Sequence, residues 1–246
     1  MIYIKLLLTA IFWGGTFIAG KFISETVHPV SAAFLRFAIA ASCLSFLVFY
    51  REGRLPPLQR RQILPVILLG ATGVFSYNIL FFSGLKYIAA GRASLIIATN
   101  PIFISLLSAV VFKERLNWIR GVGIFLSVAG AMIVISNGQV AEITGYRIGL
   151  GEWLIFGCVL SWVLYSLIGK AAMAKLSALA AVTYSAMVGA IMLMVPAFYF
   201  GLVDDIGGYT ALDWSSLAYL GCFGIGGVCF TNASNMIRQS LVKWRR

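Results

Sequence analysis

Carboxylates and histidine are what this sequence has least of. Eight Asp and Glu residues stand against nineteen Lys and Arg in 246 positions, with a single histidine. Acid–base enzymes and metal centres need such side chains clustered within reach of one another. Here Glu25, Glu52, Glu114, Glu142, Glu152, Asp204, Asp205 and Asp213 fall in connections or at the ends of apolar stretches, and His28 sits in a loop before Pro29. A membrane enzyme is therefore disfavoured, and no catalytic residue, metal site or cofactor is implied. The four cysteines, Cys43, Cys158, Cys222 and Cys229, lie inside apolar stretches without metal-ligand spacing and read as small buried apolar side chains. Phosphate loops are missing as well, since no strand signal precedes a glycine cluster and no Gly-Lys-Ser/Thr triplet follows one.

Charge of either sign is sparse. Charged residues make up 11% of the chain and apolar ones 61%, whereas a soluble domain is about a quarter charged. The balance is that of an integral membrane protein. Eight spans are expected, at 3–22, 29–50, 63–85, 91–112, 118–136, 150–169, 177–200 and 214–236. Most are long enough, at 1.5 Å per residue, to cross roughly 30 Å of hydrocarbon. Lipid offers no hydrogen-bond partners, so each must be a helix, and the fold class is an all-α polytopic membrane helix bundle. Residues 1–22 place Lys21 and Phe22 where a signal peptide would carry its small-residue cleavage site, so the first helix is expected to be retained.

The net charge of +11 follows the same topology. With a cytoplasmic N-terminus, fourteen of the nineteen basic residues fall on the inner side, among them Arg51, Arg54, Arg60, Arg61 and the tail Arg238, Lys243, Arg245 and Arg246. Lys21, Lys86, Arg92 and Arg147 are outside, and Arg36 is within a span. Excess Lys and Arg in cytoplasmic loops sets orientation. Both termini are thus expected in the cytoplasm, and the lipid bilayer, with no nucleic acid, is the implied partner.

An internal repeat gives the organisation. WGGTFIAGK at 13–21 is echoed by WVLYSLIGK at 162–170, an offset of 149, and LGATG at 69–73 by LGCFG at 220–224, an offset of 151. A five-span unit begins twice. Five is odd, so the second copy enters from the opposite side, the inverted repeat of many secondary transporters. The expected units are a first repeat at 1–136, a periplasmic connection at 137–148, an incomplete second repeat of three helices at 149–237 and a basic cytoplasmic tail at 238–246.

Four stretches carry a resemblance to a known family: WGGTF at 13–17, AAFLRFAIA at 32–40, ASLIIATNPIFISLLSAVVFKERL ending at Leu116, and GVGIFLSVAGAMIVIS at 121–136. Together they resemble the EamA family of the drug/metabolite transporter superfamily. The resemblance implies ten helices in two inverted five-helix repeats, moving small organic solutes such as metabolites, amino acids or drug-like molecules across the bacterial inner membrane. It also implies a second Pro-containing helix and a second fifth helix, which the sequence after Gly227 lacks. A truncation or a shifted reading frame is therefore expected, leaving about eight helices of ten. Such a chain would be a non-transporting remnant, or a half-carrier completed as a homodimer or by a partner chain.

Depth in the membrane selects the candidate solute-cavity residues. Trp13 and Trp162 lie mid-span, where an interfacial anchor has no place; they either stack on a solute or pack between helices. Asn78, Asn100 and Arg36 are polar at membrane depth. For the asparagines the alternative is an interhelical hydrogen bond between the third and fourth spans; for Arg36 it is snorkelling, and a cavity position would favour anionic or zwitterionic solutes. Pro101 removes a backbone hydrogen bond beside Asn100 and frees the Ile97 carbonyl. Thr16, Tyr77 and Tyr165 complete the set, and Tyr184 is a weaker candidate. Lys21 and Lys170 stand nearer the two mouths and are expected to snorkel.

Overall fold

The computed structural model describes residues 2–112, 118–135, 148–172 and 176–224. Glu114, Cys229 and the tail at 238–246 lie outside them. The described residues form helices, with no strand among them: α1 (Ile2–Thr26), α2 (Pro29–Glu52), α3 (Arg60–Leu69), a π-helical segment (Gly70–Ser76), α4 (Tyr77–Tyr87), α5 (Ala90–Ala98), α6 (Asn100–Phe112), α7 (Trp118–Ile135), α8 (Leu150–Ala172), α9 (Ala178–Tyr199), the short α10 (Leu202–Asp205) and α11 at 211–224. Among the described residues six stretches are long and apolar enough to cross a membrane: Leu7–Thr26, Pro29–Glu52, Arg60–Tyr87, Ala90–Val111, Leu150–Lys170 and Ala178–Tyr199. The expected fifth span is α7, and the expected eighth is described as far as Gly224 in α11.

Local sequence sets the helix ends. Pro29 opens α2, where its missing N–H costs nothing. Gly53 closes it at φ 72°, with its N–H on the Phe49 carbonyl at 3.0 Å. Ser177 caps α9 by accepting the Ala180 N–H. Thr210 and Asp213 form a capping box at the start of α11, each side chain accepting the other's backbone N–H at 3.2 and 2.8 Å. Asp213 also accepts from Thr26 Oγ1 at 2.7 Å, tying the end of α1 to that cap.

Small residues make the centre of the bundle. Ala32, Ala33 and Ala40 of α2 and Ala181, Ala186 and Ala190 of α9 are buried, and the two helices pack along each other. Small side chains at a membrane helix interface bring backbones close and gain dispersion contact. Two glycine pairs extend this packing. A Cβ on Gly70 would stand 2.9 Å from Val188 Cγ1 and 3.1 Å from the Ser185 carbonyl, on α9. One on Gly221 would stand 2.7 Å from Ile39 Cγ2 and 3.0 Å from the Arg36 carbonyl, on α2. Ile39 and Arg36 are the residues 149 positions before Val188 and Ser185. Gly73 lies against the Tyr165 ring and Gly224 against Thr16 and Arg36, and Thr16 stands at the same offset from Tyr165.

The fourth span is broken at Thr99, between α5 and α6. The Ile97 carbonyl, expected to be freed by Pro101, is approached by the Thr99 N–H, which also reaches Ile96 O, and Thr99 Oγ1 donates to Ile96 O at 2.6 Å. The break buries Asn100 and leaves the Pro101 ring exposed on the outer surface of the bundle.

Candidate functional site

A cavity of about 880 Å³, its open mouth included, lies within the bundle. Side chains from both sequence halves line it: Trp13 and Thr16 from α1, Arg36 from α2, Tyr77 and Asn78 from α4, Asn100 from α6, Trp162 and Tyr165 from α8, and Ser185 from α9. Pro101 is not part of the wall; one residue further along α6 than Asn100, it faces outward. The cavity also meets the π-helical segment at Gly73 and Val74, and interruptions of this kind are frequent at functional sites.

Aromatic rings form one side of the cavity. Trp162 stacks on Tyr165 at 5.1 Å and contacts Tyr77 at 5.5 Å, and Tyr77 stacks on Phe81 at 5.9 Å. Ring pairs at these spacings add about 0.5–1.5 kcal/mol each beyond burial. These rings offer an apolar surface for a solute's hydrophobic body.

Polar groups stand among these rings. Arg36 is 8% exposed and projects inward instead of snorkelling. Its Nη1 donates to Asn78 Oδ1 at 2.9 Å, and Asn78 Nδ2 donates to the Val74 carbonyl at 2.7 Å, so the π segment orients the amide that orients the guanidinium. Asn78 thus pairs across the second and third spans, whereas the alternative read from sequence is a bond between the third and fourth. The guanidinium carbon lies 5.4 Å from the centroid of the Phe37 ring. Two buried polar atoms here have no hydrogen-bond partner, Arg36 Nε and Asn100 Oδ1. Thr16 satisfies itself on the Trp13 carbonyl at 2.6 Å.

Lys21 and Lys170 are outside the cavity. Lys21 Nζ donates to the Leu85 carbonyl at 2.8 Å and pairs with Glu25 at 3.2 Å; Lys170 Nζ donates to Ser108 Oγ at 3.2 Å. Tyr184 is also elsewhere, its hydroxyl donating to the Pro56 carbonyl at 2.7 Å. His28, between α1 and α2, stacks on Phe200 at 4.6 Å. Burial, assisted by Lys86 and opposed by Asp205, lowers its pKa below 6.5. Cys43 and Cys222, expected to be buried, are exposed, and their sulfurs are 3.6 Å apart. Among the described residues no group of His, Cys, Asp and Glu is arranged to hold a metal ion.

Sequence reasoning did not single out Phe17, Phe37, Val182 or Gly224 as wall residues. Gly224 had a signal in the repeated LGATG and LGCFG. The others are ordinary apolar residues of apolar helices, with nothing in their type or spacing to mark them.

Residues 1–136 and 149–236 match the EamA-like transporter family. The chain belongs to that family. It is a multi-pass membrane transporter and not an enzyme. This EamA-like transporter is 30% identical over 222 residues to a protein described as the uncharacterized transporter YyaM of Bacillus subtilis, covering 90% of this chain and 73% of the relative. It is 28% identical over 219 residues to a probable terminal-alkyne amino-acid exporter of Streptantibioticus cattleyicolor, covering 88% and 70%. A solved crystal structure superposes with a TM-score of 0.66 at 19% identity, covering 94% of this chain and 77% of that one, a likeness of fold.

Proposed function

We propose that this EamA-like transporter is a secondary carrier of small organic solutes, metabolites, amino acids or drug-like molecules, exporting them across the bacterial inner membrane by alternating access. The observation that carries the reading is a cavity inside an apolar bundle, lined with polar and aromatic side chains from both sequence halves. Export follows the name of the amino-acid exporter among the relatives. The basic connections support a cytoplasmic position for both termini.

The inverted repeat is part of the proposal. Its support is reciprocal packing, in which Gly70 and Gly221 meet residues of α9 and α2 that share the 149 offset, and Gly73 and Gly224 meet Tyr165 and Thr16 likewise. Two such halves, each rocking against the other, would expose the same cavity to either side in turn. Among the described residues no carboxylate or histidine is in the wall, so the reading is solute exchange, passive conduction, or coupling through a residue in helices beyond those described.

Purified protein in liposomes preloaded with mixed unlabelled amino acids tests it, by counterflow uptake of labelled amino acids. Uptake above protein-free liposomes, reduced about tenfold or more by Asn100→Ala or Trp13→Ala, is expected. Absence of both uptake and solute binding would defeat the carrier reading and leave a non-transporting membrane protein.

A further inference from the structure

We infer that the cavity takes a small carboxylate, and that the solute's carboxylate is the counter-ion Arg36 lacks. The inference rests on the carrier reading for its transport part and on geometry alone for its binding part. Arg36 is more than nine-tenths buried, yet among the described residues the one side chain hydrogen-bonded to it is the neutral Asn78 amide. Its Nε is buried and unpartnered. A guanidinium held in low dielectric without an anion is costly, and a planar carboxylate is the group whose two oxygens match its fork of donors. Glu25, Glu52, Glu152, Asp204, Asp205 and Asp213 stand at helix ends or in connections, and none reaches the cavity wall. Among the described residues, then, no carboxylate supplies the anion, and we take it to come with the cargo.

Asn100 Oδ1 narrows the class. It is a second buried acceptor without a donor, in the wall of the same cavity. A carboxylate bearing an adjacent N–H or O–H group, an α-amino or α-hydroxy acid, satisfies both orphan atoms at once. Trp162, Tyr165 and Tyr77 then receive an apolar or aromatic remainder. The site also predicts the transport mode. Closing the empty cavity leaves Arg36 unpaired and away from water, so the unloaded carrier resets slowly and flux requires a carboxylate on the trans side.

A matched series on one phenyl body decides it: 3-phenylpropionate, 3-phenyllactate, phenylalanine and phenylalanine amide. Binding is read in detergent by tryptophan fluorescence, since Trp13 and Trp162 are in the wall, and transport by counterflow in liposomes. The three carboxylates should bind about tenfold or more tighter than the amide, as expected for a charge-assisted pair. Phenyllactate and phenylalanine should exceed phenylpropionate, and Asn100→Leu should erase that difference. Arg36→Gln should remove the preference for carboxylates over the amide, and Arg36→Lys should retain part of it, which separates loss of the anchor from loss of folding. Efflux of labelled phenyllactate should accelerate at least tenfold with trans carboxylate.

Equal binding of amide and acid, no binding of the series, or a carboxylate preference that survives Arg36→Gln overturns the inference. So does displacement of the acids by ordinary chloride concentrations, which would make an inorganic anion the counter-ion. Transport of acid and amide alike would sink the anchor and keep the carrier. Arg36-dependent binding of acids with no flux would keep the anchor and sink the carrier.

Discussion

Replacing Gly189 by alanine tests the packing that holds the cavity together. In an exposed helix of a soluble protein that change gains about 0.8–1 kcal/mol, because alanine loses less backbone entropy on folding. At Gly189 the new methyl would overlap Val74 Cβ and Cγ1. A Cβ is fixed to its backbone and cannot rotate aside, so α9 must move off the π-helical segment. Overpacking of this kind costs about 1–3 kcal/mol, so a net loss of up to about 2 kcal/mol is expected after the propensity gain. The assay is reversible unfolding of the purified protein in mixed micelles, with Gly14→Ala as control because nothing lies within 4 Å of a Cβ there. Adding Val74→Gly to Gly189→Ala removes the overlapping atoms, and the double-mutant cycle should show a favourable coupling above about 0.5 kcal/mol. A Gly189→Ala protein as stable as Gly14→Ala would refute the close approach of α9 to the third span.

Other perturbations act away from the cavity. Asp213→Asn leaves donors of Thr26 and Thr210 facing an amide that can satisfy fewer of them, and should cost about 1–3 kcal/mol, measured by the same unfolding assay against Asp204→Asn. Because burial depresses the His28 pKa, the unfolded chain takes up that proton first; stability should be flat above pH 6.5 and fall as the pH drops below it. His28→Phe keeps a ring on Phe200 and should flatten a pH 5–8 melting profile; an unchanged acid slope would show that His28 does not contribute. Mild copper-phenanthroline oxidation should join Cys43 to Cys222, read as loss of two maleimide-reactive thiols and abolished by Cys43→Ser; failure to cross-link would contradict the 3.6 Å approach.

What was legible in the sequence was whatever depth or period reveals. Long apolar runs located the helices, and the positions of Trp13, Trp162, Arg36 and Asn100 within those runs separated them from interfacial residues. Each of these four reaches the cavity wall. Pairings across the bundle were not legible: Asn78 accepts from Arg36, 42 residues away, and Cys43 meets Cys222 across 179, distances that no helical period encodes. The π segment at Gly70–Ser76 was hidden for another reason. Its residues, GATGVFS, differ from those of an α-helix in no periodic way, and what sets the segment apart is its close packing against α9 and α8. Pro101 drew attention by chemistry, yet the residue delivered inward is its neighbour Asn100.

The paired glycines have a consequence for how two similar halves can diverge. Gly73 faces the bulky ring of Tyr165, whereas Gly224 faces the small Thr16, and the room spared there is occupied by the Arg36 guanidinium, its Nη2 3.0 Å from where a Cβ on Gly224 would lie. A phenol in one half and an arginine in the other thus fill corresponding niches, while the backbone contacts beneath them stay alike. Such a trade lets the chain keep a balanced scaffold and still give its interior a handedness of chemistry, with one pole able to pay out positive charge and the other only aromatic surface. A glycine that grew in either niche would evict the side chain that defines that pole.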